Sequence, residues 1–223
     1  MDVRWKHPWA AMISGPSGAG KSTFVEKFLR HLDVMSDTTF DRILLYYAEW
    51  QPGYGRLRGP VEFRHGVPQS CDFDDDSGPK LVILDDLMTE AGKSVATMFT
   101  RGSHHRNLSV FFLTQNLFHR GQREISLNAN YFAVFKNPQD NGQIAHFARH
   151  ICPENANYVQ EAYADATSRA HGYLLFDLKQ GTPENCRLRT NIFPDEGRQI
   201  AYPPSKGIKT RANSAQAPVC WHP

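Results

Sequence analysis

The residues with the plainest chemical meaning are Gly15, Pro16, Ser17, Gly18, Ala19, Gly20, Lys21 and Ser22, which run consecutively and fit the spacing GxxxxGK[ST]. Glycines in such a loop let the backbone wrap a phosphate without a Cβ in the way, and the N–H groups at a helix N-terminus aim partial positive charge at it. Lys21 is then the cation for the β- and γ-phosphates of ATP, Ser22 the hydroxyl ligand of Mg²⁺, and Thr23 a neighbouring supporting contact. The competing reading is a mere glycine-rich turn. Context disfavours it, because the apolar WAAMIS (9–14) precedes the loop and the amphipathic KSTFVEKFLRHL (21–32) follows, as a strand-loop-helix unit requires.

A phosphate loop needs an acidic partner at the end of a neighbouring strand, and Leu81-Val82-Ile83-Leu84-Asp85-Asp86 supplies four apolar residues followed by two carboxylates. Asp85 is expected to hold Mg²⁺ through a bound water and Asp86 to orient or deprotonate the attacking water. Asp86 is one methylene shorter than the glutamate common at this place in hydrolytic P-loop motors, so Glu90 and Glu49 stand as alternative bases. A third apolar run, Ser109 to Thr114, ends at Gln115, whose amide can hydrogen-bond both a γ-phosphate and a water, or can simply cap a turn. Just ahead of it, Arg101-Gly102-Ser103-His104-His105-Arg106-Asn107 is basic with no acidic neighbour. In a ring of subunits Arg106, with Arg101 as second candidate, would act as an arginine finger on the adjacent ATP; otherwise the segment is a solvated loop.

These groups require strands that end together. The runs WAAMIS, RILLYYA (42–48), LVILDDL (81–87), SVFFLTQ (109–115) and YFAVFKN (131–137) are rich in Val, Ile, Leu, Phe and Tyr, and helical patterns at 21–32, 94–101 and 141–151 lie between or after them. That alternation predicts an α/β fold, a mainly parallel sheet flanked by helices. Segment 51–80 is broken by Pro52, Gly53, Gly55, Gly59, Pro60, Pro68 and Pro79 and reads as a long loop with at most a short strand at 61–64. GYLLFDL (172–178) and RLRTNIF (187–193), joined by KQGTPENC, predict an antiparallel C-terminal hairpin. The domain is expected to span 1–196, with 197–223 a basic, flexible tail.

Charge supports that division, since no acidic residue follows Glu196 while Arg198, Lys206, Lys209 and Arg211 do. With 40% hydrophobic residues the chain can build a core without disulfides or structural metal. Cys71, Cys152, Cys186 and Cys220 form no CxxC pair and read as reduced thiols. No segment reaches the roughly 18 apolar residues of a membrane span, and the N-terminus lacks a signal-peptide core, so an intracellular protein is expected. His146, His150 and Cys152 have a metal-like spacing but lack a second cluster, and Asp72 with Asp74 to Asp76 lacks the glycine and glutamate of a calcium loop.

Taken together, GPSGAGKST, LLYYAEWQ, LVILDDLM, FTRGSHHRNLSVFFLTQNLF, NANYFAVFKNPQD and HGYLLFDLKQ resemble the FtsK–HerA superfamily of DNA-pumping ATPases, above all the viral genome-packaging ATPases of adenovirus-like elements such as Polintons, adintoviruses and virophages, over about residues 8–195. The resemblance implies a RecA-like core in which the strand ending at Gln115 lies between the P-loop strand and the Asp85 strand. It also implies a homo-oligomeric ring, pentamer or hexamer, that hydrolyses ATP to drive double-stranded DNA, without sequence specificity, into a capsid in the infected host cell, with a capsid or portal vertex protein as partner. By the same carry-over Lys21 and Ser22 bind phosphate and magnesium, Asp85 and Asp86 serve the metal and the water, Gln115 senses hydrolysis and Arg106 is the finger. DNA would be held by backbone contacts from His104 to Arg106, Arg120, Arg123 and the basic tail. The rival readings are a translocase of the same superfamily in plasmid transfer or DNA processing, a small nucleoside or metabolite kinase, and a non-catalytic nucleotide-binding adaptor.

Overall fold

Apolar runs too continuous to alternate between a core face and a wet face must be covered on both sides, and the chain achieves this with one sheet between two helical layers. The computed structural model describes residues 2–57, 59–73, 78–87, 107–118, 127–140, 142–204 and 219–221. In chain order its strands are β1 (Ala10–Ser14), β2 (Arg42–Tyr47), β3 (Val61–His65), β4 (Lys80–Asp85), β5 (Leu108–Thr114), β6 (Tyr131–Phe135), β7 (Tyr173–Asp177), β8 (Leu188–Thr190), β9 (Gln199–Tyr202) and β10 (Val219–Trp221). The helices are α1 (Lys21–Arg30), α2 (Leu32–Met35), α3 (Gly142–Ile151) and α4 (Ala156–Ala166), with short 3-10 turns between.

The sheet order is β10-β9-β8-β7-β6-β1-β5-β4-β2-β3. From β3 to β6 every pairing is parallel, and from β6 to β10 every pairing is antiparallel. β5 lies between β1 and β4, as the resemblance implied. Every residue of β1, β4, β5, β6 and β7 is buried. Neighbours in sequence serve opposite faces: Phe111 packs with Trp5, Trp9, Phe24 and Phe28 under α1, while Phe112 packs with Leu44, Phe132, Phe147 and Val159 under α3 and α4. Trp5 stacks on Tyr131 with ring centroids 4.1 Å apart, and Trp9 meets Phe111 at 4.7 Å, so the N-terminal tryptophans are core.

The expected hairpin is β7 and β8, and the short strand in the 51–80 segment is β3. Two elements depart from the sequence reading. Helix α4 was not anticipated, because ANYVQEAYADA buries Val159, Ala162 and Tyr163 with small residues between and shows little apolar contrast. The boundary at 196 is also too early: β9 pairs with β8 and β10 with β9, so the sheet continues into 197–223. Tyr202 fixes β9 to α4, its hydroxyl donating to Asp165 at 2.6 Å while its carbonyl accepts from Tyr158. The predicted helix at 94–101, the carboxylates Asp74 to Asp76, and 205–218 of the tail lie outside the described residues. No helix among the described residues is long and apolar enough to cross a membrane.

Candidate functional site

β1 delivers the chain into the phosphate loop at the edge where β4 and β5 also end. The Gly15 N–H donates to the Thr114 carbonyl at 3.2 Å, which ties the loop to the end of β5. A Cβ on Gly15 would stand 2.7 Å from the Cβ of Phe135, so no larger residue fits without displacing β6. Gly20 occupies the N-cap of α1 with φ 112°, a conformation glycine adopts without strain. It carries no side chain to cap the helix, and the first turn holds no acidic residue, so the leading N–H groups of α1 are left for an anion. The Lys21 ammonium donates to the carbonyls of Gly15 (2.7 Å) and Pro16 (3.1 Å), which holds its charge over the loop.

Loop and carboxylates face one cleft of about 540 Å³, lined by Ser17, Gly18, Gly20, Lys21, Ser22 and Thr23 on one side and by Asp85, Asp86 and Gln115 on another. Gly15, Pro16 and Ala19 shape the loop from behind through their backbone. Asp85, at the end of β4, is 4% exposed; Asp86, next to it, is exposed and sits at φ 54°, the left-handed region, so the turn directs the two carboxylates differently. Burial pushes the Asp85 carboxyl above its ordinary range, opposed by a hydrogen bond from Tyr54 and by Lys21 and reinforced by Asp86. Burial likewise pushes Lys21 down, opposed by Asp85 and Asp86. A cation and two carboxylates sharing one half-buried cleft suit a ligand with alternating charge, such as a metal-bound polyphosphate.

The structure brings together Lys21, Ser22, Asp85, Asp86 and Gln115. Of the alternative bases, Glu49 is exposed and does not line the cleft, and Glu90 lies outside the described residues, as do Arg101, His104, His105, Arg106, Arg120 and Arg123.

Sequence reasoning missed Tyr54. It sits in a 3-10 turn (Pro52–Arg56) of the segment taken for loop, is 3% exposed, and donates its hydroxyl to Asp85 Oδ2 at 2.9 Å. Its ring is held by Tyr47 at 5.7 Å and Trp50 at 5.4 Å, and Ser22, Tyr54 and Asp85 also line a small adjoining cavity of about 30 Å³. An aromatic amid glycines and prolines gives no periodic signal, so nothing in the sequence pointed to it. Also missed was the far wall of the cleft, built from Lys27, Phe135, His171, Tyr173, Phe193 and Glu196, residues from four separate stretches of chain.

No protein-family model matches the chain, and no curated protein matches its sequence. Solved structures do share its fold. B204, the DNA-packaging ATPase from Sulfolobus Turreted Icosahedral Virus, is similar with a TM-score of 0.55 at 12% identity, over 80% of this chain and 94% of that one. The genome packaging NTPase B204 from Sulfolobus turreted icosahedral virus 2, solved in complex with ATP-gammaS, gives 0.53 at 14% identity, over 78% of this chain and 94% of its own. At such identities the likeness establishes the architecture: a mixed, mostly parallel sheet flanked by helices, as in these packaging NTPases.

Proposed function

We propose that the chain is an ATP-hydrolysing motor that moves double-stranded DNA into a viral capsid. The observation that carries the reading is the convergence, in one cleft, of the Gly15–Ser22 loop with Asp85, Asp86 and Gln115, on a sheet in which β5 separates β1 from β4. Two proteins of the same fold being genome-packaging NTPases supplies the direction of the work.

In this reading the N–H groups of the loop and the Lys21 ammonium hold the β- and γ-phosphates, and charge that spreads onto the γ-oxygens is met by Lys21. Ser22 and Asp85 present hard oxygen donors to the same space, which fits an ion that keeps several waters and takes its other ligands from phosphate. Bound there, Mg²⁺ would neutralise developing charge between the phosphates. Asp86, exposed at the cleft, accepts the proton of the attacking water, and Gln115, which lines the same cleft, registers the γ-phosphate. The packaging partners follow from the same reading: a homo-oligomeric ring, a double-stranded DNA backbone and a capsid or portal vertex protein. Arg106 remains the proposed finger in trans.

The test is ATP hydrolysis by the purified protein with and without linear double-stranded DNA across a salt series, with Lys21→Ala as control. DNA-stimulated turnover that falls steeply with salt and vanishes in the variant is expected. Turnover that instead requires a nucleoside or metabolite acceptor would make the protein a kinase, and nucleotide binding without turnover an adaptor.

A further inference from the structure

The two ends of the sheet expose complementary shapes. At one end β3 is the last strand, and beside it Trp50, in the turn after β2, is 55% exposed, with Phe63 of β3 at 36%. The indole is firmly placed: it stands edge-on to Tyr47 at 5.5 Å, Tyr54 at 5.4 Å and Phe63 at 5.2 Å, so a large ring is held out on an aromatic base. Toward the other end, Val3, Val34, Met35, Ile192, Pro194 and Ala201 line a cavity of about 300 Å³, with Val34, 49% exposed, on its rim. None of these six lines the phosphate cleft. Tyr47 and Tyr54 beneath the indole, and Met35 and Ile192 within the cavity, all pack in the core on the α1 side of the sheet. Protrusion and cavity thus lie in one layer of the molecule, eight strand positions apart from β3 to β9, roughly 38 Å at about 4.8 Å for each step. No copy can fill its own cavity with its own Trp50.

We propose that the cavity receives Trp50 of a second copy of this chain, so that subunits join head to tail. A rigid tryptophan seated in an apolar cavity is the usual anchor of a protein interface. Because the two surfaces differ, each copy still offers a free tryptophan on one side and a free cavity on the other, and such a contact closes into a ring when its rotation allows. Charge agrees with the join. Among the described residues, Glu49 and Arg56 flank Trp50 without an ion pair, and Asp33 and Arg198, next in sequence to the cavity residues Val34 and Gly197, are exposed and unpaired as well. Each end therefore carries one carboxylate and one guanidinium for the opposite group of its neighbour. Trp50 also packs on Tyr54, the donor to Asp85, so the junction reaches the cleft of the copy that supplies the tryptophan. The proposal rests on the reading of the chain as a ring-forming motor and names the surfaces that would build the ring.

The experiment measures the mass of the full chain in solution by sedimentation, over a concentration series with Mg²⁺ and ATPγS. Assembly beyond the dimer is expected for the wild type, and a chain that stays monomeric throughout overturns the proposal. Trp50→Ala and Val34→Asp, both at exposed positions, should each raise the concentration for half-assembly about tenfold or more. Assembly unchanged by either substitution overturns the proposal. The first variant keeps an intact cavity and the second an intact tryptophan, so an equimolar mixture should form a dimer at concentrations where neither variant does, and should stop there. A mixture no better associated than its parts rules out the head-to-tail join. Glu49→Arg and Arg198→Glu should each weaken assembly about threefold, and together should return it to within about twofold of wild type. Losses that simply add overturn the pairing of the two ends. Assembly is read without turnover, so an assembled wild type that hydrolyses no ATP fails the motor reading and leaves the junction standing.

Discussion

The two halves of the sheet are built for different work. From β3 to β6 the strands are parallel and finish at one edge, so a loop, two carboxylates and an amide from distant parts of the chain arrive at the same place. From β6 outward the strands reverse, and what the antiparallel half brings to that edge is shape: Tyr173 at the start of β7, then Phe193 and Glu196 from the turns after β8. Their interiors differ accordingly. In β4 the buried charges, Lys80 and Asp85, stand at the two ends of the strand, whereas the antiparallel half encloses a direct ion pair between strands, Arg189 to Asp177 at 2.7 Å, with both side chains at most 5% exposed. Chemistry and architecture are thus carried by separate regions, and substitutions separate them.

The largest effect is expected at that ion pair. Arg189 also donates to the Val3 carbonyl at 3.1 Å, so Arg189→Ala strips Asp177 of its cation and frees the N-terminal segment together. Removing one partner of a buried pair typically costs about 3–5 kcal/mol, to be read from urea unfolding. A loss below about 1 kcal/mol would show that the antiparallel half owes its stability to packing alone. Lys21→Ala should do the converse. Among the described residues its ammonium bonds the loop carbonyls of Gly15 and Pro16 alone, so the unfolding midpoint should stay near wild type while turnover falls about 10²- to 10³-fold. A large drop in stability would mean that the loop is held by its lysine and would blur the division.

The same division governed what could be read from the sequence. In the parallel half, ILLYY, LVIL and VFFL are unbroken apolar runs because both faces of the sheet are covered, and the polar residues that close the last two lead straight to Asp85, Asp86 and Gln115. Loop, Asp85, Asp86 and Gln115 were all legible for that reason. β9 offers only four residues, two of them half-buried, in a basic stretch resembling a tail, and its attachment through Tyr202 is a long-range contact that no local pattern announces. Glu196 was taken as the end of the domain when it is a wall of the cleft, a role set by Tyr173 and Lys27 from 23 and 169 residues away. Tyr54 was hidden likewise, in a segment whose glycines and prolines are its most visible feature.

Tyr54→Phe sharpens the comparison inside the parallel half, because it keeps the ring against Tyr47 and Trp50 and deletes only the donor to Asp85. A carboxylate held on one oxygen leaves the other aimed, and losing such an outer contact typically costs about tenfold or more in metal affinity. The Mg²⁺ concentration for half-maximal turnover, and for ATPγS binding, should rise about tenfold, with turnover recovering at saturating Mg²⁺. Turnover depressed equally at every Mg²⁺ concentration would place the effect of Tyr54 elsewhere.

The smallest effect is expected at the edge of the parallel half, where β2 and β3 carry an ion pair that is the exposed counterpart of Arg189 and Asp177. Arg42 grips both oxygens of Glu62 at 2.8 Å, and Arg64 adds a contact at 3.2 Å. These guanidinium hydrogen bonds hold the Glu62 carboxyl down at about 2, from an ordinary 4.5. Because the folded value is the lower one, the pair stabilises the fold above the ordinary value, and the contribution is lost as pH falls from 4.5 toward 2. Its size is limited by water: the Glu62 side chain is 39% exposed, and exposed pairs are commonly worth about 0.2–1 kcal/mol. Glu62→Gln should therefore cost roughly 0.5 kcal/mol at neutral pH, less in high salt, and the gap to wild type should close on acidification. A cost that persists at low pH would mean that Glu62 acts through packing along β3 rather than through charge, and a cost near that of Arg189→Ala would erase the contrast between the two pairs.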